Sequence, residues 1–322
     1  MRFVIFGAGA IGGVVGARLH EAGFEVALIA RGAHLDALRR SGLTLETPLG
    51  RSVFELHAAE HPAELGLGPE DVVLLATKGQ DTGGALQALR RCWVSELPIV
   101  CLQNGVNNER AALRVFSHVY AAVVMLPAAH IEPGVVLAYG TRLTGIIDVG
   151  VYPGGSDELC EQITAALAAS KFASRARPDI MRFKYAKLML NLGNAAGALC
   201  GPGEATDELN ERVRSEGRAV LDAAGIDFEA GEVDDLEGRS EWIGVQPIGD
   251  AQRAGSSSWQ SLARGTGAIE TDYLNGEVVL LGRLHGVPTP LNAALCDLAD
   301  RHAQAGGRPG ELSVDDVLAV AV

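Results

Sequence analysis

The chain has 322 residues, 48% of them apolar and 21% charged, with a formal net charge of −13 at pH 7. That balance excludes a disordered or fibrous protein and suits one large or two medium globular domains. The negative charge opposes nucleic-acid backbones and anionic membranes as partners, no apolar run is long enough to span a bilayer, and five scattered cysteines without C-x-x-C spacing fit reduced thiols in a cytoplasmic protein with no metal cluster.

Phe3 to Phe6 reads as a strand running directly into Gly7-Ala8-Gly9-Ala10-Ile11-Gly12, the spacing G-x-G-x-x-G. Arg2 and the apolar stretch to Ala17 faintly resemble a secretory leader, but the glycine spacing and the charges at Arg18 and Glu21 favour a structural first strand. A helix follows from Ala10 to about Ala22, Gly23 stops it, and a second strand covers Glu25 to Ala30. A loop in this setting aims a helix N-terminus and bare backbone N–H groups at a pyrophosphate. Gly7 permits the tight turn, Gly9 lets the backbone approach phosphate, and Gly12 lets helix pack close to strand. Gly7, Ala8, Gly9, Ala10, Ile11 and Gly12 are therefore expected to bind a dinucleotide. The second strand ends Ala30-Arg31-Gly32, with no acid to hold a ribose 2′-hydroxyl. The forked donors of Arg31 suit a 2′-phosphate instead, so the expected cofactor is NADPH.

Leu43 to Thr47 and Val53 to Ala58 read as an antiparallel excursion. Asp71 to Ala76 is a continuous apolar run, as in a strand buried on both faces, and it ends at Thr77-Lys78. A helix is expected over Thr82 to Cys92. Further strands are expected at Ile99 to Leu102, before Gln103-Asn104-Gly105, and at Val119 to Met125. Val135 to Val149 reads as a strand pair around Tyr139-Gly140. This alternation builds a parallel α/β sheet of Rossmann type with ligands beyond the carboxyl ends of its strands. Gly9, Arg31, Lys78 and Asn104 all fall at such ends, so all four are expected to line one edge.

Asp157 to Ser170 reads as a last helix of this half, followed by a short strand at Ala173 to Ala176. A domain boundary is expected there, giving a dinucleotide-binding domain over 1–176 and an all-helical domain over 177–322. Helices are expected over Asp179 to Leu199, Glu204 to Ala224, Ser257 to Arg264, Thr271 to His285 and Pro290 to Ala305. Serines 256 to 258 suit a helix start. Thr289 before Pro290 suits an N-cap followed by proline at the first helical position. In the first of these helices Lys184, Lys187, Asn191 and Asn194 share one quadrant at about 100° per residue. Alone, such a stripe reads as a solvated helix face ahead of a site. Asparagine, a poor helix former and a good ligand holder, argues mildly against that.

These residues carry a resemblance to the ketopantoate reductase (2-dehydropantoate 2-reductase) family. The similarity spans nearly the whole chain. It includes the glycine loop, Arg31, Thr77-Lys78, Gln103-Asn104-Gly105, Glu132-Pro133-Gly134, Lys187-Leu188-Met189-Leu190-Asn191, Ser258 and Glu270-Thr271-Asp272-Tyr273-Leu274-Asn275-Gly276. The resemblance implies an N-terminal Rossmann domain, a C-terminal helical domain, NADPH, and reduction of a 2-keto acid, ketopantoate to pantoate, on the route to pantothenate and coenzyme A. It implies Lys187 as the catalytic proton donor and Glu270 as its support and a substrate ligand. Asn104 is implied as an active-site residue on cofactor and substrate, Lys78 as a cofactor contact, and Arg31 as the residue on the 2′-phosphate. It implies Asn191, Asn194 and Ser258 as substrate contacts and a homodimer through the helical half. No metal is required.

Hydride arriving at a keto carbon creates oxyanion charge, which a positioned ammonium stabilises before donating its proton. An ordinary lysine, at about 10.4, is a weak acid, so a neighbouring charge such as that of Lys184 would help by repulsion. The sequence departs from the family in three places. Ala195 stands where a second asparagine is usual, the loop from Ala196 to Gly203 differs, and the segment from Trp242 to Asp250 has no counterpart. These leave open a relative acting on a different 2-keto acid. A non-catalytic NADPH sensor is the remaining alternative.

Overall fold

The computed structural model describes residues 1–94, 96–228, 230–249, 255–265 and 267–321. Its contacts divide the chain into two units. One comprises Met1–Gln103, Asn107–Lys184 and Asp234–Arg253, and the other Asn104–Val106, Tyr185–Val233 and Ala254–Val322.

The first unit carries β1 (Arg2–Phe6), β2 (Glu25–Ile29), β3 (Leu43–Thr47), β4 (Gly50–Phe54), β5 (His57–Ala59), β6 (Asp71–Leu75), β7 (Ile99–Cys101), β8 (Val119–Met125), β9 (Ala128–Ala129), β10 (Val135–Ala138), β11 (Gly145–Val151) and β12 (Phe172–Ala173). Eight of these form one sheet in the order β12-β11-β8-β7-β6-β1-β2-β5, parallel except where β11 meets β8. The apolar run of β6 explains why the sheet is covered on both sides. Val72 and Leu74 pack into one core with α1 (Ala10–Glu21) and residues of the later helix α5 (Glu158–Ala169), while Val73 and Leu75 pack into another below α3 (Thr82–Arg90). Each fully buried Val or Leu contributes roughly 1.5–3 kcal/mol.

The second sheet, β4-β3-β10-β9, corrects two expectations. Val53 to Ala58 is not one strand. Its start ends β4, antiparallel to β3, and its end enters β5, which pairs with β2 in the large sheet. Likewise β10 and β11 are not a pair: β10 lies in the small sheet beside β3 and β11 in the large one beside β8. The turn residues between them carry the chain from one sheet to the other. Two helices of this unit, α2 (Gly32–Ser41) and α4 (Asn108–Leu113), had no sequence expectation, whereas α5 (Glu158–Ala169) had. Asp157 caps α5 by accepting from the Cys160 N–H.

Helix α6 (Ile180–Asn191) belongs to the first unit up to Lys184 and to the second from Tyr185. The second unit continues with α7 (Asn194–Cys200), α8 (Glu204–Ala223) and the start of α9 (Ala230–Ser240), then α10 (Ser257–Ala263), α11 (Asn275–His285), α12 (Pro290–Gln304) and α13 (Val314–Val320). The expected helix Asp179 to Leu199 is thus two helices, and so is Thr271 to His285, whose first residues form a separate 3₁₀ turn, Thr271–Tyr273. Thr289 does not cap α12 with its hydroxyl. The Glu216 carboxylate does that work, accepting from Leu291 N–H at 3.0 Å and Asn292 N–H at 3.1 Å, as an anion at a helix N-terminus should.

Residues 234–249 return to the first unit, including most of the segment without a family counterpart; Asp250 lies outside the described residues. Val245 bridges Gly140, Gln246 N–H donates to Tyr139 O, and the Thr141 and Arg142 amides donate to Ile243 O. Arg239 places its guanidinium on the fully buried Asp148 carboxylate, which also accepts from Arg177.

Candidate active site

Each glycine of the first loop meets a different environment. A Cβ on Gly12 would stand 2.1 Å from Gly7 O and 2.7 Å from Ile5 Cγ2, so this glycine lets α1 lie against β1. Gly7 has φ +101° and a Cβ there would meet Thr77 N at 2.9 Å. Gly9 meets nothing within 4 Å. No neighbour requires Gly9 to be bare, which leaves its open side to an incoming group. Gly9 also starts α1 with no side-chain cap and no acid in the first turn. The orphan N–H groups of that end are therefore offered to an anion. Bare backbone, open space and an uncapped helix fit a pyrophosphate.

A side chain absent from the sequence reading holds this loop. His34, on α2, sets Nε2 2.8 Å from Ala8 O, and its Nδ1 accepts from Gly134 N–H at 2.9 Å. The second bond fixes the tautomer: Nδ1 accepts, so Nε2 carries the proton and donates to Ala8. Burial pushes the His34 imidazole below its ordinary value, with the Ala8 bond acting in the other direction. Arg31 follows β2 in extended conformation, and its guanidinium reaches Asp81 Oδ1 at 3.3 Å. Lys78 follows β6 and begins the turn Gly79–Asp81. With Gly9 after β1, these residues stand at the carboxyl ends of three adjacent strands.

Beyond β7 a buried polar cluster fixes the turn leading to Asn104. Gln103 donates from Nε2 to Thr82 Oγ1 at 3.2 Å, and Thr82 donates to Asn108 Oδ1 at 2.8 Å. Lys184 donates to the Gln103 carbonyl at 3.0 Å and pairs with Glu109 at 2.5 Å. Lys184 therefore does not act as an unscreened positive neighbour of Lys187, and the expected quadrant of four polar residues does not persist: Lys184 is sequestered and Asn194 starts a new helix.

The second unit holds Asn104, Lys187, Asn191, Asn194, Ser258 and Glu270. Lys187 and Asn191 project from α6. Asn191 is 7% exposed, and its Nδ2 has no hydrogen-bond partner among the described residues. A buried amide donor left open costs about 1–3 kcal/mol, and a carbonyl or carboxylate of a ligand would satisfy it. Asn194 opens α7, and its carbonyl faces Ser256 Oγ at 3.5 Å; Ser256 caps α10, which carries the buried Ser258. Glu270 precedes the 271–273 turn; partial burial holds the Arg264 guanidinium below its ordinary value, with the charge of Glu270 acting in the other direction. Gly105 has φ +79°, and a Cβ there would lie 2.5 Å from Tyr273 O. Only glycine lets the 104–106 turn close on the turn after Glu270.

Sequence reasoning missed His34, Asp81, Glu109, Glu216 and Asn292. His34 lay three residues from Arg31 and could have been weighed as a loop anchor. The others reveal themselves only through partners distant in the chain.

Comparisons with known proteins identify the family and the fold. Residues 3–154 match the family described as ketopantoate reductase PanE/ApbA, and residues 179–303 match its C-terminal domain. A 2-dehydropantoate 2-reductase of Pyrococcus horikoshii is 28% identical over 315 residues, 95% of this chain and 99% of the relative. A PanE/ApbA family ketopantoate reductase of Ralstonia eutropha JMP134 superposes with a TM-score of 0.80 at 28% identity, covering 95% of this chain and 99% of that one. D-mandelate dehydrogenase, solved with NADH and anilino(oxo)acetate, shares the fold with a TM-score of 0.77 at 21% identity over 99% of both chains.

Proposed function

The chain belongs to the ketopantoate reductase PanE/ApbA family, and from that premise we propose that it reduces a 2-keto acid with NADPH, converting ketopantoate to pantoate for pantothenate and coenzyme A synthesis in the cytoplasm. The proposed functional division is a cofactor domain over 1–176 and a helical substrate domain over 177–322, of which 177–184 and 234–249 pack with the first unit. The observation that carries the reading is the buried, open amide of Asn191 in the unit that also holds Lys187, Asn194, Ser258 and Glu270.

The glycine loop from Gly7 to Gly12 and the uncapped start of α1 would hold the pyrophosphate, Arg31 the 2′-phosphate, and Lys78 and Asn104 the remainder of the dinucleotide. When bound, NADPH supplies the hydride. Lys187 stabilises the oxyanion that develops on the keto oxygen and delivers its proton there. Glu270 orients Lys187 and binds the substrate. Asn104, Asn191, Asn194 and Ser258 orient the keto acid, since near-attack positioning lowers the barrier.

A different 2-keto acid is the second reading, favoured by Ala195, a buried methyl where the family usually offers an amide. The shared fold of D-mandelate dehydrogenase with NADH fits this reading, because the fold by itself selects neither keto acid nor nicotinamide cofactor. An NADPH-oxidation screen over ketopantoate, pyruvate and 2-ketoisovalerate separates the two readings: clear preference for ketopantoate supports the first, equal turnover the second. Lys187→Ala should bind NADPH as the parent does and lose about 10²–10⁴-fold in kcat. Undiminished NADPH oxidation by that variant would sink the mechanism.

A further inference from the structure

The glycine loop follows β1, which lies between β2 and β6 in the sheet. The residues after those flanking strands carry opposite charges. Arg31 follows β2, Asp81 ends the turn after β6, and they meet at 3.3 Å across 50 residues of sequence. The pair therefore spans the strand that carries the loop. Both side chains are open to a ligand, Arg31 at 80% exposure and Asp81 at 37%. Asp81 stands at the N-cap of α3 yet accepts no capping bond from that helix; its carboxylate is turned to Arg31. The end of β2 offers no acid of its own, only Ala30-Arg31.

The end of the second strand is where such sheets distinguish a ribose 2′-hydroxyl, held by an acid, from a 2′-phosphate, held by an arginine. Here both groups are present, the acid delivered from the far side of β1. We propose that Asp81 is a specificity-determining residue of the dinucleotide site, restraining the preference for a 2′-phosphate and supplying the carboxylate that a 2′-hydroxyl requires. The inference rests on the dinucleotide reading of the glycine loop and not on the identity of the keto acid.

An exposed ion pair is weak, so Arg31 is easily released to a phosphate. The phosphate then places about two negative charges beside the Asp81 carboxylate, and that repulsion exists only in the complex. A 2′-hydroxyl brings no charge and finds an acceptor. The chain is therefore expected to bind both NADPH and NADH, in a ratio that Asp81 sets.

Fluorescence titration of the full chain with NADPH and with NADH tests this without any keto acid. Asp81→Asn should tighten NADPH by about fivefold and weaken NADH, shifting the ratio of the two Kd values by about tenfold. Asp81→Glu, which keeps the charge, should stay near the parent ratio. Displacement by 2′,5′-ADP and by 5′-AMP should follow the same pattern, locating the effect at the ribose. A fold defect would weaken both dinucleotides together and leave the ratio unmoved. A parent that binds both, with an Asp81→Asn ratio within twofold of its own, overturns the role of Asp81 alone. A parent that binds neither overturns the dinucleotide site and this inference with it.

Discussion

Lys184 and Glu109 form an ion pair of 2.5 Å with side chains only 3% and 0% exposed. Its second bond, to the carbonyl of Gln103, holds the residue immediately before Asn104. A lysine that looked like an assistant to Lys187 is instead a brace for the turn that presents Asn104. Glu109 Oε2 and Gln103 Oε1 are buried without partners among the described residues, so the cluster is incompletely satisfied and sensitive to change.

Breaking this pair from one side should be costly. Glu109→Leu leaves a buried ammonium, and Lys184→Met a buried carboxylate; each is expected to lose about 3–5 kcal/mol in urea unfolding. The double variant removes both charges and should recover most of that loss. It does not restore the bond to Gln103, so its turnover should stay below the parent by about tenfold or more. Recovery of stability and turnover together would show that the pair does not position Asn104.

The loop glycines should separate folding from binding. Gly12→Ala puts a methyl 2.1 Å from Gly7 O and is expected to destabilise the first unit by about 1–3 kcal/mol or to prevent folding. Gly9→Ala meets empty space at an ordinary φ of −72°. It should fold with a stability within about 1 kcal/mol of the parent, while dinucleotide affinity falls at least about tenfold from the clash with phosphate. Calorimetric unfolding beside a cofactor titration checks both. Normal cofactor binding by Gly9→Ala would place the pyrophosphate elsewhere.

His34 should make the first unit acid-sensitive. Its two bonds need the neutral ring, with Nδ1 free to accept from Gly134, and His130 lies against it with ring centroids 4.3 Å apart. Burial lowers its pKa in the folded chain, so the unfolded state binds the proton more readily. The stabilisation is then complete above the ordinary imidazole value of about 6.5 and is lost as pH falls from there through the lowered folded value. Denaturation midpoints measured from pH 8 to 5 should fall on the acid side, by up to about 1.4 kcal/mol per pH unit from this residue. His34→Gln should flatten that part of the profile. An identical slope in the variant would assign the acid sensitivity to other groups.

The local features of the fold were legible, and the long-range ones were not. The strand before Gly7, the stop at Gly23 and the buried run of β6 each follow from neighbouring residues. The break between α6 and α7 does not. Periodicity runs through 192–193 without interruption, but the Leu192 carbonyl is taken by a side chain 83 residues later, and Asn210 is packed directly against Gly193. The same holds for β10 and β11, whose turn residues look like a hairpin until their partners in separate sheets are known. At the site, the residues that carry charge or open amides were visible by type. Those that hold them in place, Glu109, Glu216 and Asn292, look like ordinary helix residues.

Asn275 ties the 270–276 motif to the joint from which Asn191 and Asn194 project. It is fully buried, and its Nδ2 donates to Leu192 O and to Asn292 Oδ1, both at 3.0 Å. Asn292 in turn donates to Val213 O at 3.1 Å and to Glu216 at 2.8 Å, so α8, α11, α12 and the joint after α6 share one polar relay. Asn275→Ala leaves two buried acceptors open, at about 1–3 kcal/mol each. Asn275→Asp keeps the shape but has no donor, and should lose nearly as much. Beyond stability, release of the Leu192 carbonyl frees the joint, so the KM for the keto acid should rise by about tenfold while the Kd for NADPH stays within about twofold. Steady-state kinetics beside a cofactor titration read the two separately. Lowered stability with an unchanged keto-acid KM would confine Asn275 to holding helices together and detach it from the placement of Asn191 and Asn194.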